Sequence, residues 1–200
     1  AAGRQDNLVS VHASTRALIA ADCPDIALMA AFDHEEVGSG TSSGASGPLL
    51  ETVLARIALA YGLSQDQRYQ MLARSTCVSS DAGHSVNPNY AEFHDPDQYP
   101  VMGRGPMIKI NANQRYASDA RGQALWLRAC HEAGEATQEF VSNNAVSCGT
   151  TIGPLPATRL GIATVDVGVP LLSMHSVREL SSIRDEVALS NIMKGYCNLA

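Results

Sequence analysis

The sequence predicts an α/β fold, on two observations. First, 45% of the residues are apolar, only 5% are aromatic, and 16 of the 200 are glycine, the texture of that class. Second, short apolar runs that stop abruptly on polar side chains alternate with stretches of helical spacing, as strands feeding helices do. Two hundred residues suffice for one domain with a real core, and no repeat, low-complexity tail or linker divides residues 1–200. The net charge of −6 argues against nucleic acid or an anionic membrane as a partner. No apolar run approaches the length needed to cross a bilayer.

In chain order, Leu8, Val11, Thr15 and Leu18 recur at helical spacing, and Asp6 just before them suits a helix N-cap when read alone. Residues 26–32 form an apolar run that reads as a buried strand ending on Asp33-His34-Glu35-Glu36. Residues 38–47 are a flexible Gly/Ser loop, after which Pro48 suits the first turn of a helix through Leu50, Val53, Leu54 and Ile57. Within the loop, Gly40-Thr41-Ser42-Ser43-Gly44 matches the G-x-S-x-G nucleophile pattern. It is set aside, because a nucleophile elbow needs its strand to run straight into the serine and this one ends upstream.

Residues 61–75 read as a surface connection with a polar helical turn. A short strand, residues 76–80, then ends on Asp81 and gives way to a turn-rich segment containing His84. Residues 106–111 are a strand with one charge, Lys109, which either snorkels to an edge or faces a pocket and holds an anionic group. A helix from about Asp119 to Ala133 is amphipathic through Leu125, Trp126, Leu127 and Cys130, and a strand is expected at residues 140–142. Residues 147–154 are a small-residue turn that lets backbone approach a ligand closely. A strand at 162–167, a run through 170–174 to His175, and a closing helix from near Ser182 with Val187, Leu189, Ile192 and Met193 complete the chain.

Cys23, Cys77, Cys130, Cys148 and Cys197 are odd in number and widely spaced, which is neither a disulfide framework nor a zinc ribbon. They read as reduced thiols of a cytoplasmic protein, with Cys148 a small packed residue. Ala1-Ala2-Gly3-Arg4 shows no secretory pattern and no initiator Met, so it bears little on targeting.

The chemistry gathers where apolar runs end. On extended backbone, adjacent side chains point to opposite sides, so Glu35 and Glu36 divide their work: one ligates a metal and the other handles the proton of a metal-bound water. Asp6 and Asp81 add carboxylates, and His175 adds an imidazole from a late turn. That donor mixture suits zinc or a similar divalent ion. With several carboxylates available, one can bridge two ions ~3.5–4 Å apart.

Seven blocks together resemble the aspartyl aminopeptidase family of co-catalytic zinc exopeptidases. They are Asp33-His34-Glu35-Glu36-Val37-Gly38-Ser39, Ser79-Ser80-Asp81-Ala82-Gly83-His84, Pro88-Asn89-Tyr90, Gly105-Pro106-Met107-Ile108-Lys109, Asn113-Gln114-Arg115-Tyr116-Ala117, Gly149-Thr150-Thr151-Ile152-Gly153-Pro154 and Met174-His175-Ser176-Val177-Arg178-Glu179. The blocks cover nearly the whole chain in the family's order. The resemblance implies a three-layer α/β/α domain around a central mixed sheet, and two divalent ions, zinc in first place. Asp6 would bridge the ions, followed by a cis peptide. Glu36 and His175 would hold one ion, and Asp81 the other with a histidine that this chain lacks. Glu35 would be the general base. Lys109 and Tyr116 would line the pocket for an acidic first side chain, and His84 would lie near the substrate or a neighbouring subunit.

The resemblance further implies hydrolysis of N-terminal Asp or Glu from peptides and assembly into homo-oligomers, dodecamers in the family. Two departures stand out. Residues 1–200 correspond to the C-terminal portion of the catalytic domain, without the family's N-terminal segment or inserted assembly domain, and Asn87 stands where the family usually has histidine. The alternatives are a catalytically incomplete fragment or assembly-only subunit, and a related dinuclear aminopeptidase of broader specificity.

Overall fold

The computed structural model describes residues 1–199. Helix α1 (Gln5–Ala20) opens the chain, followed by α2 (Leu49–Ala60) and α3 (Gln65–Arg74). Strands β1 (Thr76–Ser80), β2 (Gly83–His84) and β3 (Met107–Ile110) come next, then α4 (Ala120–Ala133), β4 (Gln138–Val141) and α5 (Pro154–Leu160). Strands β5 (Ala163–Gly168), β6 (Pro170–Leu172) and β7 (Leu180–Ser181) lead to the closing helix α6 (Ile183–Asn198). A four-stranded mixed sheet has the order β1-β5-β3-β4, with β5 parallel to β1 and antiparallel to β3. A smaller mixed sheet, β2-β6-β7, continues from it. Asp81 N–H donates to Val167 O and Gly83 N–H to Val169 O across the step.

Alternation along β5 supplies the two faces. Val165 and Val167 are buried among Trp126 and Ala129 of α4 and Leu189 and Ile192 of α6, with Ala13 and Ala17 of α1 completing that layer. Asp166 turns the opposite way and accepts a hydrogen bond from Thr151, just before α5. On this second side, Arg159 of α5 donates to the Gly47 carbonyl and pairs with Glu51 of α2. The predicted three-layer arrangement about a mixed sheet is therefore the observed one.

Several local expectations are corrected. Residues 26–32 belong to no strand, and Ile26 and Leu28 are 50% and 41% exposed. An apolar run becomes a strand only where a neighbour takes its backbone groups, and β1, at the end of the sheet order, is paired with β5 instead. The buried face of α1 is Ser10, Ala13 and Ala17, whereas Leu8 is 58% exposed; small side chains bring α1 close against α6. The polar stretch before β1 is the full helix α3, started by a reciprocal capping box between Ser64 and Gln67. Helix α5 was hidden behind Gly153 and two prolines.

Candidate metal centre

Asp6 reaches the site because the first turn of α1 is broken. Arg4 is left-handed, Asp6 (φ −80°, ψ 107°) and Asn7 are non-helical, and the Asp6–Asn7 peptide is cis. Asp6 therefore caps nothing, which corrects the N-cap alternative. Asn7 Nδ2 donates to Ser80 O at 2.8 Å and ties this break to the end of β1.

Glu35 and Glu36 lie in a single 3₁₀ turn (Glu35–Val37) and not on the extended backbone that the sequence predicts. Consecutive residues of such a turn still diverge, by about a third of a revolution, so the division between them survives for a different geometric reason. His34 enters the turn with φ 63°, and its Nδ1 meets Thr41 Oγ1 at 2.9 Å. His175, at φ 67°, sits in the turn after β6.

Three of these side chains converge. His175 Nε2 is 3.1 Å from Asp6 Oδ2 and 3.1 Å from Glu36 Oε1, and one donor atom from each residue lies within 4.8 Å of the others. Burial, then the charges of Asp81 and Glu36, pushes the Asp6 carboxyl up to about 7, against the pull of His175. Two carboxylates and an imidazole crowded at this distance form a donor set for a divalent ion of the zinc type. A cation among them would relieve the repulsion that the carboxylates impose on one another. The residues present fit one such ion.

Asp81 is not in the trio. Its Oδ2 accepts from Lys109 Nζ at 2.9 Å, and Lys109, only 3% exposed, also donates to Ala82 O at 2.8 Å. The lysine thus faces inward, and the anionic group it holds belongs to its own chain. Asp81 remains within electrostatic reach, since its charge raises both Asp6 and Glu35. Glu35 is held above the usual carboxyl range by burial, then by Asp81 and Glu36, with Lys109 and His175 opposing.

Tyr116 is buried beside Lys109, whose Nζ stands 5.6 Å from its ring centroid, and Cys148 Sγ donates to Tyr116 Oη at 3.4 Å. His84 ends β2. Partial burial of its ring, then the charges of His94, Lys109 and His175, keeps it below its ordinary 6.5. Within the small-residue turn at 147–154, Gly153 makes a close approach to a side chain: a Cβ there would lie 2.3 Å from Asp166 Oδ2.

One residue of the site had no role in the sequence reading. Glu179 is 1% exposed and accepts hydrogen bonds from the backbone N–H groups of Asp6 and His175. Its place in the Met-His-Ser-Val-Arg-Glu block was the only signal.

Residues 1–196 match the family model described as aminopeptidase I zinc metalloprotease (M18). A relative from Streptomyces coelicolor, named a probable M18 family aminopeptidase 2, is 51% identical over 198 residues, covering 96% of this chain and 46% of its own. Among solved structures, Ape4 in complex with Nbr1 superposes with a TM-score of 0.89 at 32% identity, covering 98% of this chain and 38% of that one. The mApe1 dodecamer of S. cerevisiae gives 0.82 at 30% identity, covering 98% and 44%. The chain spans about half the length of the curated relatives it matches.

Proposed function

We propose, from the premise that this chain belongs to the aminopeptidase I (M18) zinc metalloprotease family, that it carries the catalytic centre of an aminopeptidase releasing N-terminal Asp or Glu from peptides. The observation that carries this reading is the meeting of Asp6, Glu36 and His175 within 4.8 Å, from three distant parts of the chain. These three would hold one divalent ion, zinc by the family's description. Asp81 and Asp6 would contribute carboxylates to a second ion. Metal bound there would polarise the scissile carbonyl and ease deprotonation of water.

Glu35 is the proton carrier in this scheme. Its carboxyl, raised by burial and by neighbouring charge, takes a proton from the attacking water and delivers it to the departing amine. Tyr116 and the positive field of Lys109 orient the first residue of the peptide, and a fixed cation favours Asp or Glu over neutral side chains. An ammonium has three donors, and Asp81 and Ala82 occupy two of them. The same pairing favours a second reading, an aminopeptidase of broader specificity in which Lys109 serves to anchor Asp81.

Assembly into a homo-oligomer fits the dodecameric neighbour. A cytoplasmic site fits five cysteines that are all free. Among the described residues no helix is long and apolar enough to cross a membrane.

The test is Glu35→Gln against His175→Ala, with zinc content and hydrolysis of Asp-, Glu- and Ala-anilides measured in each. The glutamine variant should keep its zinc and lose about 10²–10⁴-fold in kcat, whereas the alanine variant should lose zinc as well. Retention of full activity by Glu35→Gln would remove the proton-carrier role. Equal rates on all three anilides would decide for the broader reading.

A further inference from the structure

We infer that Glu179 is a positioning residue for the metal centre, its single carboxylate setting the spacing of the two backbones that carry Asp6 and His175. The inference rests on the zinc reading above.

Glu179 Oε2 accepts from Asp6 N–H at 3.0 Å, and Oε1 accepts from His175 N–H at 2.6 Å. The two oxygens of one carboxylate are a rigid pair, so both N–H groups are held at a fixed separation. On the far side of those backbones the side chains close the ring, with His175 Nε2 3.1 Å from Asp6 Oδ2. The main chain of Glu179 extends the clamp: its carbonyl accepts from Ala2 N–H at 3.0 Å and from Gln5 Nε2 at 3.0 Å. The segment leading into Asp6 is thus fixed from both directions.

Both ligand backbones need this support. Asp6 stands in a break of α1, and His175 adopts a left-handed conformation that a non-glycine residue reaches at a cost. At 1% exposure Glu179 is removed from water, and among the described residues no lysine, arginine or histidine pairs with it. Buried carboxylates persist where hydrogen bonds offset their desolvation. Here the donors are the peptide groups of two proposed ligands, so the groups that satisfy Glu179 are the ones it aims. Partners one step behind the ligands govern metal affinity elsewhere in this way.

The molecule supplies its own control. Asp185, fully buried, accepts from Gly103 N–H at 2.6 Å and Gly105 N–H at 2.8 Å, the same device applied to a loop that supplies no ligand. Zinc dissociation constants, cobalt(II) absorption spectra and melting temperatures should be compared for the wild type, Glu179→Gln and Asp185→Asn. An amide at 179 keeps one acceptor and presents N–H to the other donor. Glu179→Gln is therefore expected to weaken zinc about 10–100-fold and to alter the cobalt spectrum. Asp185→Asn should melt earlier with its zinc affinity unchanged.

Unchanged zinc affinity in a folded Glu179→Gln overturns the inference, as does an equal loss in Asp185→Asn. Zinc binding by the wild type that is indifferent to His175→Ala sinks the zinc reading instead. Amide hydrogen exchange in the metal-free wild type decides the matter without any variant. The Asp6 and His175 amides should be protected, and exchange at the rate of free peptide refutes the clamp.

Discussion

Replacing Lys109 by methionine tests what that lysine does. The side chain keeps its length and loses its charge, so Asp81, one-fifth exposed, is left without its partner 2.9 Å away. Breaking a buried pair by removing one member costs about 3–5 kcal/mol, and solvent access to Asp81 places this case near the lower end. The lost bond to Ala82 O and the contact with the Tyr116 ring, 5.6 Å away, are included in a net cost of about 3 kcal/mol. For a chain of this size that lowers Tm by roughly 6–12 °C, readable by calorimetry. In an Asp81→Asn background the orphaned charge is gone, and the same replacement should cost only about 1–1.5 kcal/mol. If the two substitutions prove additive, the ion pair is not what holds this corner together. On anilides, Lys109→Met should depress Asp hydrolysis far more than Ala hydrolysis; equal losses would leave the lysine a structural role only.

Gly153→Ala should destabilise by about 2–3 kcal/mol in urea unfolding, because its methyl would fall 2.3 Å from Asp166 Oδ2. That carboxylate is fixed by Ala117 N–H at 2.6 Å and Thr151 Oγ1 at 2.7 Å. Burial holds Asp166 above its ordinary 3.8 despite those bonds. Its contribution to stability is therefore intact below 3.8 and is lost as pH climbs through the raised value. Asp166→Asn should flatten this part of the urea-midpoint profile, and an unchanged slope would refute the assignment. Cys77 and Cys130 are pushed up to about 12 by burial; at pH 8 they should alkylate only after unfolding, which mass spectrometry of labelled peptides checks.

The strands at 106–111 and 162–167 were legible as largely apolar runs and that at 76–80 as a short run ending on Asp81, and all three became sheet neighbours or near neighbours. Glu36 and His175 were legible from the blocks that contain them, and Asp6 from what the resemblance implies for the start of the chain; the three do meet. Other features left no trace in periodicity. Polar Gln65-Asp66-Gln67-Arg68 concealed α3, whose only buried residue is Leu72. Residues 26–32 carried a strand's composition with no ladder to join. The partners of Lys109, Gly153 and Glu179 were invisible, since Asp81, Asp166 and the Asp6 backbone lie 28, 13 and 173 positions away. Contacts between a side chain and a remote peptide group obey no repeat.

Asp6 and His175 are separated by 169 positions. Closing a loop of that length carries an entropy cost that only a largely assembled core can offset. Capture of the proposed ion should accordingly be among the last events of maturation, a natural reporter that these two distant segments have docked. Replacing Asp6 by alanine would silence that reporter while sparing the buried layer between β5, α4 and α6.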